Sequence, residues 1–182
     1  DNYMKANYLR AKQLIENGSY RQAVQCLKVA AYYSPRNSRF NQLTRFWLAE
    51  SYYRNDQYRE AREIFTDLYN TSALYGRAES YQISYSIAYC YFKDGNYSLA
   101  KKWFGEYLGE KSVKYRKEAL VRKADCDFVT KNYKAAAQEY DLVLVNIVAD
   151  VIIGLSPVLP NFLTENSTLI CSGILDVRLD DV

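Results

Sequence analysis

Asp56-Gln57-Tyr58-Arg59-Glu60-Ala61 is the stretch on which the fold turns, because the chain repeats it three more times. The other copies are Gly18-Ser19-Tyr20-Arg21-Gln22-Ala23, Gly95-Asn96-Tyr97-Ser98-Leu99-Ala100 and Lys131-Asn132-Tyr133-Lys134-Ala135-Ala136. Their tyrosines stand 38, 39 and 36 residues apart. Four residues past each alanine comes a large side chain (Leu27, Phe65, Phe104, Tyr140), and three further on Ala30, Leu68, Tyr107 and Val143. Each phrase opens on a turn residue that ends one helix. The tyrosine then wedges between two helices. The alanine sits where helices approach closely, since a larger side chain would push them apart. The residues at four and seven places on share its helical face and fill the space to the next hairpin.

Ahead of each phrase runs a second apolar stripe at helical spacing. These stripes are Leu9, Ala11, Leu14, Ile15; Phe46, Leu48, Ala49, Tyr52; Ile83, Ile87, Ala88, Tyr91; and Leu120, Val121, Ala124, Phe128. Each unit is therefore two amphipathic helices. The small residue in the first helix, the Tyr and Ala of the second, the following bulky residue and the breaker Pro35 resemble the tetratricopeptide repeat family. The resemblance covers about residues 4–143 and implies an all-α fold, a right-handed α-solenoid of about four hairpins. That family's unit is about 34 residues. Here either the links are longer by two to five residues, as at 36–43 and 71–79, or the helices are extended. Copy four departs most, with Asp125 and Asp127 near its core face.

Composition narrows the chemistry. The 182 residues include no histidine, so a Ser-His or Cys-His pair is impossible and the usual neutral-pH base is missing. The cysteines at 26, 90, 126 and 171 match no zinc spacing, and the first three read as small buried hydrophobes. No run approaches the ~18 apolar residues of a membrane span, so no membrane partner is expected. The opening Asp1-Asn2-Tyr3-Met4-Lys5 is unlike a signal peptide, which leaves the compartment unassigned and the cytoplasm slightly favoured. Residues 1–140 carry 23 Lys and Arg against 15 Asp and Glu. The basic residues are scattered, so they read as a solvated face and nucleic acid is not the expected partner.

In tetratricopeptide proteins the first helix of each unit lines a concave groove. Carried over position by position, the resemblance assigns Lys5, Tyr8, Lys12 and Ile15 from copy one to that groove. Copy two adds Leu43, Phe46, Glu50 and Tyr53, and copy three Gln82, Tyr85, Tyr89 and Phe92. Copy four adds Glu118, Val121, Asp125 and Phe128. The core of this set is Tyr8, Lys12, Phe46, Glu50, Tyr53, Tyr85, Tyr89, Phe92, Asp125 and Phe128. Such a face is aromatic in the middle, basic at one end and acidic at the other, and suits a protein or peptide partner. The family's chaperone-binding members clamp a terminal carboxylate; Glu50 and Asp125 argue against that ligand. The expected role is an interaction scaffold, with no enzyme activity, cofactor or metal.

The last 42 residues differ. They hold one basic and six acidic residues, no tyrosine, and 20 Val, Ile and Leu. The aliphatic run Asp141–Ile147 reads as a buried parallel strand, 149–162 as a helix strained by Pro157 and Pro160, and 168–175 as a second strand. Tyr140-Asp141-Leu142-Val143-Leu144-Val145-Asn146-Ile147-Val148-Ala149-Asp150-Val151-Ile152-Ile153 and Leu169-Ile170-Cys171-Ser172-Gly173-Ile174-Leu175 closely resemble a stretch of the ribosomal protein L11 methyltransferase family. The resemblance implies a βαβ piece of an S-adenosylmethionine-dependent fold, with Asn146 on its cofactor side. The Gly-rich loop and ribose-binding acid of such a fold are missing, so no complete cofactor site can be assembled. The chain thus reads as a repeat array, 1–143, joined as in a chimera to an incomplete methyltransferase-like fragment, 144–182. Two strands and one helix cannot bury that many aliphatic residues alone. The tail is expected to pack as a cap on the last hairpin, with the helix from Tyr133 running past Leu144, or to self-associate.

Overall fold

The computed structural model describes residues 2–71, 74, 79–110, 114–132, 135–136, 142–146, 153–154, 156–157, 160, 163 and 168–172. Seven α-helices fall among them: α1 (Asn2–Glu16), α2 (Tyr20–Tyr33), α3 (Arg39–Arg54), α4 (Tyr58–Asn70), α5 (Ile83–Lys93), α6 (Tyr97–Gly109) and α7 (Arg116–Val129). A 3₁₀ turn, Ser80–Gln82, leads into α5. The chain forms two compact units, Asp1–Lys114 and Tyr115–Val182.

The first unit is three hairpins, α1–α2, α3–α4 and α5–α6, packed in sequence. The repeated phrase explains each one. Its opening residue lies in the left-handed region every time: Gly18 at φ +73°, Asp56 at +59°, Gly95 at +74° and, in the second unit, Lys131 at +63°. The amide of that residue donates to the carbonyl three back, and the next amide to the carbonyl five back. The pairs are Gly18 to Ile15 (3.0 Å) with Ser19 to Leu14 (2.8 Å), and Gly95 to Phe92 (3.1 Å) with Asn96 to Tyr91 (2.9 Å). Asp56 to Tyr53 (3.2 Å) goes with Gln57 to Tyr52 (2.9 Å), and Lys131 to Phe128 (3.0 Å) with Asn132 to Asp127 (2.8 Å). This is a Schellman stop, which satisfies carbonyls the ending helix leaves orphaned and reverses the chain.

The packing positions follow. Ala23, Ala61 and Ala100 are completely buried, as are Leu27, Phe65 and Phe104 four residues on. Ala30, Leu68 and Tyr107 complete that face. In the first helices Ala11, Ala49 and Ala88 are equally buried. The tyrosine wedge is visible as edge-to-face ring pairs within a hairpin, Tyr58 with Tyr53 (5.6 Å) and Tyr97 with Phe92 (5.4 Å). Leu9 departs from its expected stripe and is 64% exposed.

Polar groups stitch one hairpin to the next. The buried Asn41 amide donates to the Ala31 carbonyl at the end of α2 (2.9 Å) and to Ser34 Oγ (2.8 Å), while Ser38 caps α3 by accepting from the Asn41 backbone amide (3.1 Å). Arg62 of α4 pairs with Asp94 beyond α5 (2.6 Å) and lies 4.4 Å over the Tyr91 ring.

The second unit holds α7 and two strands, β1 (Leu142–Asn146) and β2 (Thr168–Ser172). They pair in parallel, Leu142 opposite Thr168 through Asn146 opposite Ser172. The helix expected to run from Tyr133 past Leu144 is therefore corrected: this β-branched run pairs as a strand, and Val143 occupies a strand instead of a helical packing position. Most of the fourth copy's second helix, Tyr140, and most of the segment between the strands lie outside the described residues. A complete βαβ unit is therefore not established, and the helical class holds over α1–α7. In α7, Ala124 and Cys126 are buried, but Val121 and Phe128, placed in its apolar stripe, are 41% and 54% exposed. Asp127 is buried and accepts from Asn132 Nδ2 (2.9 Å), which ties the turn after α7 to its last coil.

Candidate functional site

The first helices α1, α3 and α5 present equivalent positions at the repeat spacing. Stepping by 38 and then 39 residues aligns Tyr8, Phe46 and Tyr85 in one row, Lys12, Glu50 and Tyr89 in the next, and Ile15, Tyr53 and Phe92 in a third. The middle row thus carries a cation, an anion and an aromatic hydroxyl across three consecutive hairpins.

At its α1 end, Lys12 Nζ sits 3.4 Å from the centre of the Trp47 ring, and Tyr8 packs on Phe40 at 5.2 Å. Both aromatic partners come from α3 and were not among the residues read from the sequence. The signal for Trp47 is the same register: Leu9, Trp47 and Ser86 occupy equivalent places, and the last two each contact the middle-row residue of the preceding hairpin.

At the centre, Glu50 is largely buried, with 17% of its side chain exposed. Its Oε1 accepts from Ser86 Oγ at 3.1 Å, and its Oε2 lies 3.7 Å from Arg54 Nε. Burial holds its carboxyl above the usual carboxylate range, and Arg54 and Ser86 pull it only part of the way back. Arg54 is shared, since its Nη1 also donates to the Tyr20 hydroxyl at 3.4 Å.

Around Glu50 rises an aromatic wall. Tyr53 meets Tyr58 at 5.6 Å and Tyr89 at 6.5 Å. Tyr89 packs on Tyr85 (4.8 Å), Phe104 (5.3 Å) and Phe92 (6.2 Å), and Tyr85 on Tyr107 (5.0 Å). Tyr53, Tyr85, Tyr89 and Phe92 all remain half-buried. Burial, followed by the neighbouring Cys90, Tyr89, Tyr58 and Glu50, raises the Tyr53 hydroxyl above its ordinary range. The Cys90 thiol beneath is pushed up to about 12, first by burial and then by Glu50.

The structure therefore gathers Glu50, Tyr53, Tyr85, Tyr89 and Phe92 into one patch, with Tyr8 and Lys12 in the adjoining hairpin. Phe46 is corrected: it is 2% exposed and packs on Trp47 (5.5 Å) and Phe65 (5.7 Å), so it is core and meets no partner. Asp125 and Phe128 belong to the second unit, where Arg122 Nη1 holds Asp125 at 2.7 Å. Asn146 lies in β1 opposite Ser172. Among the described residues, no group of three or more Cys, Asp and Glu side chains is placed to hold a metal ion, and no helix is long and apolar enough to cross a membrane.

This architecture is that of a tetratricopeptide-like helical repeat protein. Two crystal structures of a Podosopora anserina putative kinesin light chain with nearly identical TPR-like repeats, one of them carrying a point substitution, share it at a TM-score of 0.60 and 14% identity. They cover 86% and 85% of this chain, and this chain covers 76% and 75% of theirs. The chain belongs to the family described as an uncharacterized protein conserved in bacteria (DUF2225), which matches residues 3–127. The ribosomal protein L11 methyltransferase (PrmA) family matches residues 101–182, beginning well before the Tyr140-Asp141 join at which the sequence resemblance starts. Curated ribosomal protein L11 methyltransferases of Agathobacter rectalis and Ruminiclostridium cellulolyticum are 45% identical over 49 residues and 41% over 54. Those stretches are 27% and 30% of this chain and only 15% and 17% of the relatives' own length.

Proposed function

We propose that the chain is an interaction scaffold that holds a protein or peptide partner along the face of α1, α3 and α5. The observation that carries this reading is the half-buried patch of Tyr53, Tyr85, Tyr89 and Phe92 beside a largely buried carboxylate, in register with Lys12. Tyrosine and phenylalanine offer large contact area for little lost entropy, and the hydroxyls serve peptide carbonyls. An extended segment crossing three equivalent helices meets a new row at each one. Asp125 and Phe128 continue the same positions in copy four. The array is taken as residues 1–143, and residues 144–182 as an appendage that caps its last hairpin; the 18 Val, Ile and Leu residues of that appendage support a packed role.

The test is affinity capture from a bacterial lysate on the immobilised chain, run beside the Tyr85→Ala plus Tyr89→Ala variant with its fold checked by circular dichroism. Partners should be retained by the first and lost by the second. Equal retention by both sinks groove recognition.

A second reading, supported by the short methyltransferase match, is that the tail derives from an S-adenosylmethionine-dependent enzyme and is inactive by itself. Asn146 is its only matched cofactor-side position. Calorimetric titration with S-adenosylmethionine should give no binding heat; saturable heat would make the chain a cofactor-binding protein after all.

A further inference from the structure

We propose that the face of α1, α3 and α5 selects a partner segment carrying a lysine or arginine, whose cation seats on Glu50 beside the Tyr53 and Tyr89 rings. The proposal deepens the scaffold reading and rests on it. Glu50 is an acid in an array with a marked basic excess, yet it is among the least exposed carboxylates of the first unit. Its neighbours answer its charge thinly. Ser86 gives one neutral hydrogen bond (3.1 Å), and Arg54 stands at 3.7 Å while also donating to Tyr20. A buried charge wants a close, hydrogen-bonded counterion. The walls suit one: Tyr53 and Tyr89 meet edge to face at 6.5 Å, and aromatic faces attract ammonium and guanidinium groups.

The register adds a spacing rule. Lys12 occupies the same position one hairpin earlier, its ammonium 3.4 Å above Trp47. α1 and α3 touch through long side chains, Lys12 on Trp47 and Tyr8 on Phe40, which sets them at the wide end of helix spacing, about 10 Å, and an extended chain advances about 3.3 Å per residue. A segment with its basic residue over Glu50 therefore brings a residue about three positions away over Lys12, where an acidic side chain fits. The selected motif is a basic and an acidic residue about three apart.

Fluorescein-labelled decapeptide pools, degenerate except for a fixed central Arg, Gln or Glu, test this by anisotropy against the full chain. The Arg pool should bind about tenfold more tightly than the Glu pool, as one charge-assisted hydrogen bond gives. This preference runs against the array's overall positive charge, which by itself would favour the Glu pool. The isosteric Glu50→Gln should erase it, and Glu50→Lys should reverse it. Adding a Glu three positions from the Arg should tighten binding further in the wild type but not in Lys12→Gln. Retention of the Arg preference by Glu50→Gln overturns the proposal. Equal binding of all pools, lost in Tyr85→Ala plus Tyr89→Ala, overturns the cation seat and leaves the groove standing. Failure of every pool to bind the wild type overturns both.

Discussion

Replacing Gly95 by alanine should destabilise the first unit by about 1 kcal/mol, all of it through the backbone. Gly95 ends α5 at φ +74°, and a Cβ built there meets nothing within 4 Å. Packing therefore contributes neither gain nor clash. A residue with a Cβ costs about 1–2 kcal/mol in the left-handed region. Alanine recovers about 0.4–1 kcal/mol of that by restricting the unfolded chain, which leaves the net near 1 kcal/mol. Unfolding entropy is about 2.1 cal/mol/K per residue, so a unit spanning Asp1–Lys114 should lose roughly 4 °C in Tm. Urea titration followed by circular dichroism at 222 nm measures the difference directly. The converse substitution, Lys131→Gly, removes the same strain at φ +63° and should stabilise the second unit by about 0.5–1 kcal/mol. A neutral or stabilising Gly95→Ala would refute the idea that the left-handed stop limits residue choice in the repeat.

Phe65→Ala should cost about 3–5 kcal/mol, because the ring is completely buried against Phe46 and its removal leaves a cavity; denaturant midpoints compare it with wild type. Ala61→Leu should cost about 1–3 kcal/mol for the opposite reason, overpacking at a close helix approach, and a mild effect there would show that α3 and α4 can separate freely. Glu50→Gln should raise stability at neutral pH. The folded carboxyl titrates above its ordinary 4.5, so the folded state binds more protons than the unfolded one in that interval and stability falls as pH rises through it. The variant should lose this pH dependence, and stability curves from about pH 4 to 8 decide. Lys12→Met should cost about 0.5–1 kcal/mol and alter Trp47 emission, since it removes the ammonium from the indole face.

The stability predicted for Glu50→Gln bears on function. Were Glu50→Gln to strengthen the fold and also remove the proposed partner selection, Glu50 would be held at a stability cost, as binding residues often are. Phe46 shows the opposite case at an equivalent register position. Tyr8, Phe46 and Tyr85 share one row, but the hairpin spacing turns Phe46 onto Phe65 and fills the core with it. Periodicity assigns a face to a helix; it does not say which large side chain on the edge of that face the neighbouring hairpin will cover.

The repeated Tyr–Ala phrase was enough to define the three hairpins of the first unit, the four left-handed stops and the buried alanines, because each depends on local contacts a few residues apart. It also placed Lys12, Glu50 and Tyr89 in equivalent positions. The pairing of Lys12 with Trp47, of Glu50 with Ser86, and the exposure of Leu9 belong to the packing of one hairpin on the next, which joins residues more than thirty positions apart. The strand at Leu142–Asn146 is the sharpest instance. Its aliphatic run reads as a parallel strand but equally allows the preceding helix to run on past Leu144, and the parallel partner at Thr168–Ser172, distant in the chain, supplies the backbone hydrogen bonds that decide for the strand.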